Sequence, residues 1–254
     1  PVIAVGKIRD PFLADRVIKE GACDLVSLGR TLIADPHFPR KAQEGNQEDI
    51  VPCISCNRCV SSQRESFLRC AVNPLVGRET ESELRMQPTK HPKKVVIVGG
   101  GVAGLKAAEV CANRGHKVTV LEKEHILGGQ LNLAMIPPGK KGLVRFREYL
   151  ERKAKDSGVD IRLGAEATKE KLEALAPDLV VIATGARPLV LDLPGQEKVS
   201  KKILTFVDVL REDLTGIGKD ILVIGGWIMG AEVADHLAFK GKEVSVVEMR
   251  TELA

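Results

Sequence analysis

The chain has 254 residues, 44% hydrophobic and 28% charged, enough apolar content to bury a core and unlike a disordered or fibrous protein. Lys and Arg number 38 against 34 Asp and Glu, a net charge of +4 with no long block of one sign, and only six Phe, one Trp and one Tyr are present, so nucleic-acid binding is not expected. No run of about 18 apolar residues exists to span a membrane and no segment reads as a signal peptide, which leaves the expectation of a cytoplasmic protein with a small-molecule substrate, no membrane partner, and a homo-oligomeric state compatible with it.

The chain starts at Pro1 without an initiator Met and stops at Ala254, just past a strand pattern; the expectation is a piece of a longer protein. Residues 2–6 form a short apolar run ending in glycine, which reads as a buried strand. A helix is expected over 11–20 and a second strand over 22–28, ending at Gly29-Arg30, with a short helix after it broken near Pro36 and Pro39. Strand–helix–strand–helix is the unit of a parallel α/β fold. Two such units look like the end of a (β/α)8 barrel, whose phosphate site lies after its last two strands. Gly29 leaves its backbone amide open, Arg30 can fork onto a phosphate, and Lys7 is the matching cation after the earlier strand. The alternative is that all three are ordinary loop residues.

Cys53, Cys56, Cys59 and Cys70 follow as Cys-x2-Cys-x2-Cys-x10-Cys. Thiolates two residues apart on a loop can converge on one metal centre. Three close cysteines and a distant fourth suit a [4Fe–4S] cluster; zinc is the rival, since all-thiolate zinc sites use similar spacers. Nothing else in the sequence suggests secretion, which argues against disulfides. Cys23 and Cys111 read as buried small apolar residues.

Residues 79–94 are polar, with Pro88 and Pro92, and read as a linker. An apolar strand over 95–98 leads into Gly99-Gly100-Gly101-Val102-Ala103-Gly104, a helix over 105–113 ended by Gly115, and a strand over 117–121 closed by Glu122. A glycine turn inside a complete βαβ unit, with an acidic residue about 20 positions on, is the dinucleotide fingerprint. Gly99 permits the turn, Gly101 lets a pyrophosphate approach, and Gly104 lets the helix pack. Glu122 accepts ribose hydroxyls, and the helix N-terminus attracts phosphate. Leu127-Gly128-Gly129-Gln130-Leu131 reads on pattern alone as a turn. A helix is expected over 145–155 and strands over 160–163 and 179–182.

A second unit repeats the first about 126 residues on: a strand from 221, Gly225-Gly226-Trp227-Ile228-Met229-Gly230, a helix, and a strand over 243–247 ending at Glu248. Two nucleotide folds suggest a flavin site and a nicotinamide site. Trp227 stands where the middle glycine belongs and should obstruct a pyrophosphate. Glu248 would repel a 2′-phosphate, favouring NAD over NADP.

The order of these features (strand-Gly-Lys, strand-Gly-Arg, the four cysteines ending Arg-Cys-Ala-Val-Asn-Pro, Val-Val-Ile-Val-Gly-Gly-Gly-Val-Ala-Gly, Gly-Gly-Gln-Leu, Ala-Thr-Gly-Ala-Arg-Pro, a second glycine turn) resembles the multi-cofactor branch of the old yellow enzyme superfamily. That branch includes 2,4-dienoyl-CoA reductase, trimethylamine dehydrogenase and NADH-dependent enoate reductases. The resemblance implies the end of a flavin barrel plus cluster loop over 1–78, a linker over 79–94, a Rossmann-like FAD or ADP domain over 95–200, and the start of an NAD(P) domain over 201–254. It implies FMN phosphate at Lys7, Gly29 and Arg30, a [4Fe–4S] cluster on the four cysteines, and an FAD site including Ala103, Glu122, Gln130, Lys141 and Ala167. It further implies electrons passing from NAD(P)H through FAD, cluster and FMN to an enoyl-type substrate. The six earlier barrel strands, with the substrate's acid–base residues, would lie outside this chain. The alternatives are an amine dehydrogenase that passes electrons outward, a nucleotide-binding or electron-transfer module without its own chemistry, and a zinc-stapled structural domain.

Overall fold

A computed structural model describes residues 1–64, 67–81, 87–198, 203–211 and 214–253. The expected boundary at residue 200 and part of the expected linker, residues 82–86, lie outside the described residues. The first segment is β1 (Ile3–Val5), α1 (Pro11–Lys19) and β2 (Leu25–Ser27), with the two strands parallel; β1 is not the buried strand expected, since Val2, Ile3 and Val5 are exposed where β2 is its one paired neighbour among the described residues. Helix α1 starts where Asp10 accepts the Leu13 N–H at 2.8 Å and Pro11 fills the first turn, a position where proline's missing N–H goes unneeded. Two short helices follow, α2 (Arg30–Ala34) and α3 (Phe38–Gln43). Pro39 lies in the first turn of α3. It therefore opens a helix, for the same reason, rather than breaking one as expected. Cys23 is buried two residues ahead of β2, as expected of a small apolar residue, whereas Cys111 is only half-buried.

The central unit is a four-stranded parallel sheet in the order β5-β4-β3-β6, built from β3 (Lys94–Val98), β4 (Lys117–Leu121), β5 (Asp160–Arg162) and β6 (Leu179–Ile182). That order is the first half of a doubly wound dinucleotide fold. Val95, Val96 and Ile97 are almost fully buried, which is why β3 reads as a continuous apolar run rather than an alternation. Helix α5 (Val102–Asn113) links β3 to β4 and ends before Gly115 at φ +90, the left-handed stop that glycine supplies at least cost. Between β4 and β5 come α6 (Leu131–Ala134) and α7 (Lys141–Asp156). Helix α7 buries Phe146, Tyr149, Leu150 and Ala154, the spacing of one helical face; α8 (Lys169–Leu175) precedes β6.

A third unit contains α9 (Phe206–Arg211), β7 (Asp220–Ile224), α10 (Ile228–Phe239) and β8 (Glu243–Val247), with β7 and β8 parallel. The third unit shares a core with the central one: Leu133 packs with Val209, Leu210, Val233 and Leu237, and Lys140 pairs with Glu232. No helix among the described residues is long and apolar enough to cross a membrane.

The tightest point in the central unit is where α5 begins. A Cβ on Gly104 would stand 1.9 Å from the Gly99 carbonyl oxygen, so the helix packs on the turn's own backbone. Gly104→Ala is expected to destabilise the protein by about 3 kcal/mol, the upper range for overpacking, read as a lower midpoint in thermal unfolding followed by circular dichroism.

Candidate functional site

The four thiols sit on a loop between the first segment and the central unit. Residues 51–57 have no regular structure, and Ser55 and Asn57 both hold φ +57, a left-handed conformation that ordinary residues adopt rarely. A short helix, α4 (Arg58–Ser61), begins immediately afterwards and buries Cys59. One buried carboxylate anchors the loop's entry. Asp35, 2% exposed, accepts from Lys41 Nζ at 2.7 Å, from the His37 N–H at 2.9 Å and from the Val51 N–H at 2.9 Å. The exit is anchored by Asn73, whose side-chain amide donates to the Ile33 carbonyl at 2.8 Å. Buried Ser62 accepts from the Arg69 N–H at 3.0 Å and donates to the Cys59 carbonyl at 3.3 Å.

The surroundings of Cys70 fit a sulfur that binds a positive centre. Burial holds its thiol above the ordinary value, the N–H groups of Val72 and Asn73 directed at the sulfur pull it down, and the neighbouring Cys56 and Cys53 push it up again. A lone thiolate would be disfavoured there; metal binding would remove that cost and keep the N–H donors. The Ser55 hydroxyl is a second buried polar group on the loop, without a hydrogen-bond partner among the described residues. Among the described residues, no three Cys, His, Asp or Glu side chains draw together as a group able to hold a metal ion.

Lys7, Gly29 and Arg30 come together as expected. They line a cavity of about 250 Å³ that also includes Cys53 and Ser55. Gly6 at φ +113 and Lys7 at φ +53 turn the chain sharply after β1. Buried Thr31 donates to the Ile8 carbonyl at 2.8 Å and holds the two strand ends together. The Arg30 guanidinium also donates to the Asn57 side chain, so the cation at the cavity is tied to the thiol loop.

The first glycine turn is built as its pattern implies. Gly99 sits at φ +109, and a Cβ there would be 2.4 Å from the Ala183 oxygen. At Gly101 a Cβ would meet nothing nearer than the Gly129 Cα at 3.9 Å, so the turn tolerates a small side chain there without a clash. Gly100 was not singled out by pattern, yet a Cβ there would be 2.6 Å from the Leu127 side chain and 3.1 Å from Glu122. The buried Glu122 carboxylate accepts from the Gly100 N–H at 2.6 Å and the Glu124 N–H at 2.9 Å. Each oxygen keeps lone-pair capacity for a hydroxyl.

The remaining expected residues are spread around this turn. Ala103 is exposed on the first turn of α5, and Ala167 is half-buried on the loop after β5. The Gly128-Gly129 loop does more than turn. It bridges to Gly101, its Gly128 N–H donates to the Gly100 carbonyl at 2.9 Å, and Gln130 donates to the Ala186 carbonyl. Lys141 is exposed at the start of α7, next to Gly142, where a Cβ would lie 3.3 Å from Ile54 of the thiol loop. In the second unit Gly225 takes φ +96, a Cβ on Gly230 would be 1.7 Å from the Gly225 oxygen, and Glu248 accepts from the Gly226 N–H at 2.6 Å. Those amide hydrogen bonds, with Arg250 the larger contributor and Gly226 next, hold the Glu248 carboxyl below its usual value. Trp227 is half exposed, with the Arg250 guanidinium 4.5 Å from its ring centroid. Asp35, Asn57 and Arg250 carried no motif; their roles arise from contacts between segments that the fold brings together.

Known proteins resemble this chain along its whole length. The family model described as pyridine nucleotide-disulphide oxidoreductase matches residues 71–174 and 93–254, and that of the NADH:flavin oxidoreductase / NADH oxidase family matches residues 1–49. The NADH oxidase of Thermoanaerobacter brockii is 45% identical over 259 residues, covering 100% of this chain and 40% of that protein. The cinnamate reductase of Clostridium sporogenes is 39% identical over 255 residues, covering 100% of this chain and 37% of that protein. Among solved structures, a 2-naphthoyl-CoA reductase in complex with 2-naphthoyl-CoA aligns with a TM-score of 0.93 at 32% identity, covering 100% of this chain and 38% of that one. The chain thus spans about two fifths of the length of the curated relatives it matches.

The clash-free Cβ position at Gly101 separates ligand effects from folding effects. Gly101→Ala is expected to cost at most about 1 kcal/mol of stability, the difference between these residues at a helix N-cap. It should weaken retention of an adenine dinucleotide by about tenfold or more by intruding on the pyrophosphate path, measured as cofactor content after dialysis.

Proposed function

The chain belongs to the pyridine nucleotide-disulphide oxidoreductase family and, with its first segment, to the multi-cofactor branch of the old yellow enzyme superfamily, and on that footing we propose that it is the cofactor-holding portion of an NAD(P)H-dependent flavin and iron–sulfur oxidoreductase. In this reading Lys7, Gly29 and Arg30 receive an FMN phosphate, and Cys53, Cys56, Cys59 and Cys70 hold a [4Fe–4S] cluster. FAD lies along Gly99, Gly101 and Gly104 with its ribose on Glu122, and a nicotinamide dinucleotide takes Gly225, Gly230 and Glu248. When bound, the flavins supply hydride chemistry and the cluster carries single electrons.

One observation carries the proposal: the thiol loop touches both the cavity and the packed core beside the helix that follows the first glycine turn. Cys53 lines the cavity of Lys7, Gly29 and Arg30, while Cys53, Ile54 and Cys70 pack on the core that contains Leu105 of α5 and Phe146, Tyr149 and Leu150 of α7. In this reading a group held by the loop would stand between the cavity and the helix that follows the first glycine turn. The protein's own residues exclude water on the α7 side. The Arg30–Asn57 and Asp35–Val51 contacts hold the loop against the cavity. The substrate class proposed is an activated alkene, since cinnamate and 2-naphthoyl-CoA, named for two of the similar proteins, both join a carbonyl to unsaturated carbon. Trp227 favours a second reading, an amine dehydrogenase that passes electrons outward and needs no nicotinamide.

The complete protein, purified without oxygen, is expected to show flavin absorbance, to carry about four irons and matching acid-labile sulfide per chain, and to be bleached by NADH. Cys70→Ser should lose the iron and keep the FAD. Zinc without sulfide would overturn the cluster assignment. Turnover of an amine with an artificial acceptor, with no response to NADH, would select the second reading.

A further inference from the structure

The two glycine turns are an internal comparison within one chain. Gly99, Gly100, Gly104, Glu122 and Glu124 correspond to Gly225, Gly226, Gly230, Glu248 and Arg250. The backbones match closely. Gly101 precedes α5 at φ −78, ψ −174, and Trp227 precedes α10 at φ −72, ψ −178. Both acidic residues accept from the second glycine's N–H at 2.6 Å, and from the N–H two residues past themselves at 2.9 Å in the first unit and 3.0 Å in the second. The second turn has kept the scaffold of a dinucleotide site. What differs is the pair of residues that flank its mouth.

In the first unit that pair is Gly101 and Glu124. The glycine has no side chain, and Glu124 pairs with Arg211 at 4.0 Å. In the second unit Trp227 and Arg250 stack on each other, the guanidinium 4.5 Å from the ring centroid. Trp227 follows the C-terminal end of β7 and Arg250 the C-terminal end of β8, so the stacked pair joins the two strand ends. The crevice outside the carboxyl ends of such strands is where a nucleotide lies in this kind of fold, its pyrophosphate on the turn and its ribose on the acidic residue. A Cβ at the equivalent Gly101 would clash with nothing, its nearest neighbour being the Gly129 Cα at 3.9 Å, so the turn's backbone accepts a side chain at this position, and in the second unit that side chain is an indole half exposed at the mouth of the crevice.

We propose that Trp227 and Arg250 form a gate across the second dinucleotide crevice, and that a pyridine dinucleotide seats only after the indole leaves Arg250 and swings off the turn. The inference rests on the reading of that crevice as the nicotinamide-nucleotide site. The gate lowers apparent affinity by the fraction of time the crevice is open. A cation–π contact between exposed partners is a weak latch, so the gate opens thermally and sets a threshold on dinucleotide concentration rather than abolishing binding.

The test uses the complete, flavin-loaded protein and ADP-ribose, which carries the adenosine and pyrophosphate without redox chemistry, in isothermal titration calorimetry. Trp227→Gly is expected to bind ADP-ribose about tenfold more tightly than the wild type. Arg250→Ala, which keeps the indole but removes its latch, is expected to bind about two- to fivefold more tightly. Glycine already holds the same backbone at position 101, so the first variant should fold; the second leaves the turn untouched. Equal affinity of the wild type and Trp227→Gly overturns the gate. Weaker binding by Trp227→Gly also overturns it and makes the indole a stacking surface for the ligand. Binding to neither protein overturns the nicotinamide reading of the crevice itself, a result distinct from equal affinities.

Discussion

The packing of one irregular loop against one helix face is the contact on which the rest of the structure turns. Val51, Cys53, Ile54 and Cys70 pack on a core that contains Phe146, Tyr149, Leu150 and Ala154 of α7, Leu105 of α5 and Ala34 of the first segment. Burying side chains of this size stabilises by roughly 1.5–3 kcal/mol each, so the cluster is enough to fix the two units relative to each other. Charges at the rim follow the same line: Lys153 pairs with Asp49 at 3.1 Å and Arg145 with Asp10 at 3.8 Å. Exposed pairs like the second contribute little; their use is in register.

A loop with so little regular structure cannot hold its own shape. Asp35 does much of that work from a distance, because a buried carboxylate with three donors makes bonds worth roughly 1.5–3 kcal/mol each. Its three donors come from α3, from the turn before it and from the loop entry. The left-handed residues Ser55 and Asn57 are held by this frame, and left-handed strain of that kind is found where surrounding structure over-determines the chain. Tyr149 records the same enclosure. Burial raises its hydroxyl's pKa, and the carboxylates of Glu109, Asp35 and Asp49 raise it further.

The repeated glycine turn separates two kinds of constraint. Gly99 with Gly104, and Gly225 with Gly230, answer to the protein's own backbone, since a Cβ on Gly104 or Gly230 would overlap a carbonyl oxygen. The middle position is less constrained, since a Cβ on Gly101 would only reach ordinary contact with Gly129 at 3.9 Å. It is glycine in the first unit and tryptophan in the second, with no change in backbone. Folding therefore tolerates the indole, and its consequence falls on the ligand.

The sequence by itself determined what is local. Residues 117–121, 179–182 and 243–247 are strands with the expected bounds, because apolar runs between glycines and charged residues are read over a few neighbours. The glycine turns, Gly115 as a helix stop and the grouping of Lys7, Gly29 and Arg30 were legible for the same reason. Helix starts were less so: α5 begins at Val102 and α7 at Lys141, ahead of the expected 105 and 145, since first turns take their partners from whatever packs beside them. Only the tertiary structure decided that Asp35 holds the thiol loop, that Arg30 reaches Asn57, and that Arg250 lies on Trp227. Each of these joins residues brought together by the folded backbone. No periodicity or spacing encodes such a contact, because its energy depends on burial and distance that exist only after the units have packed.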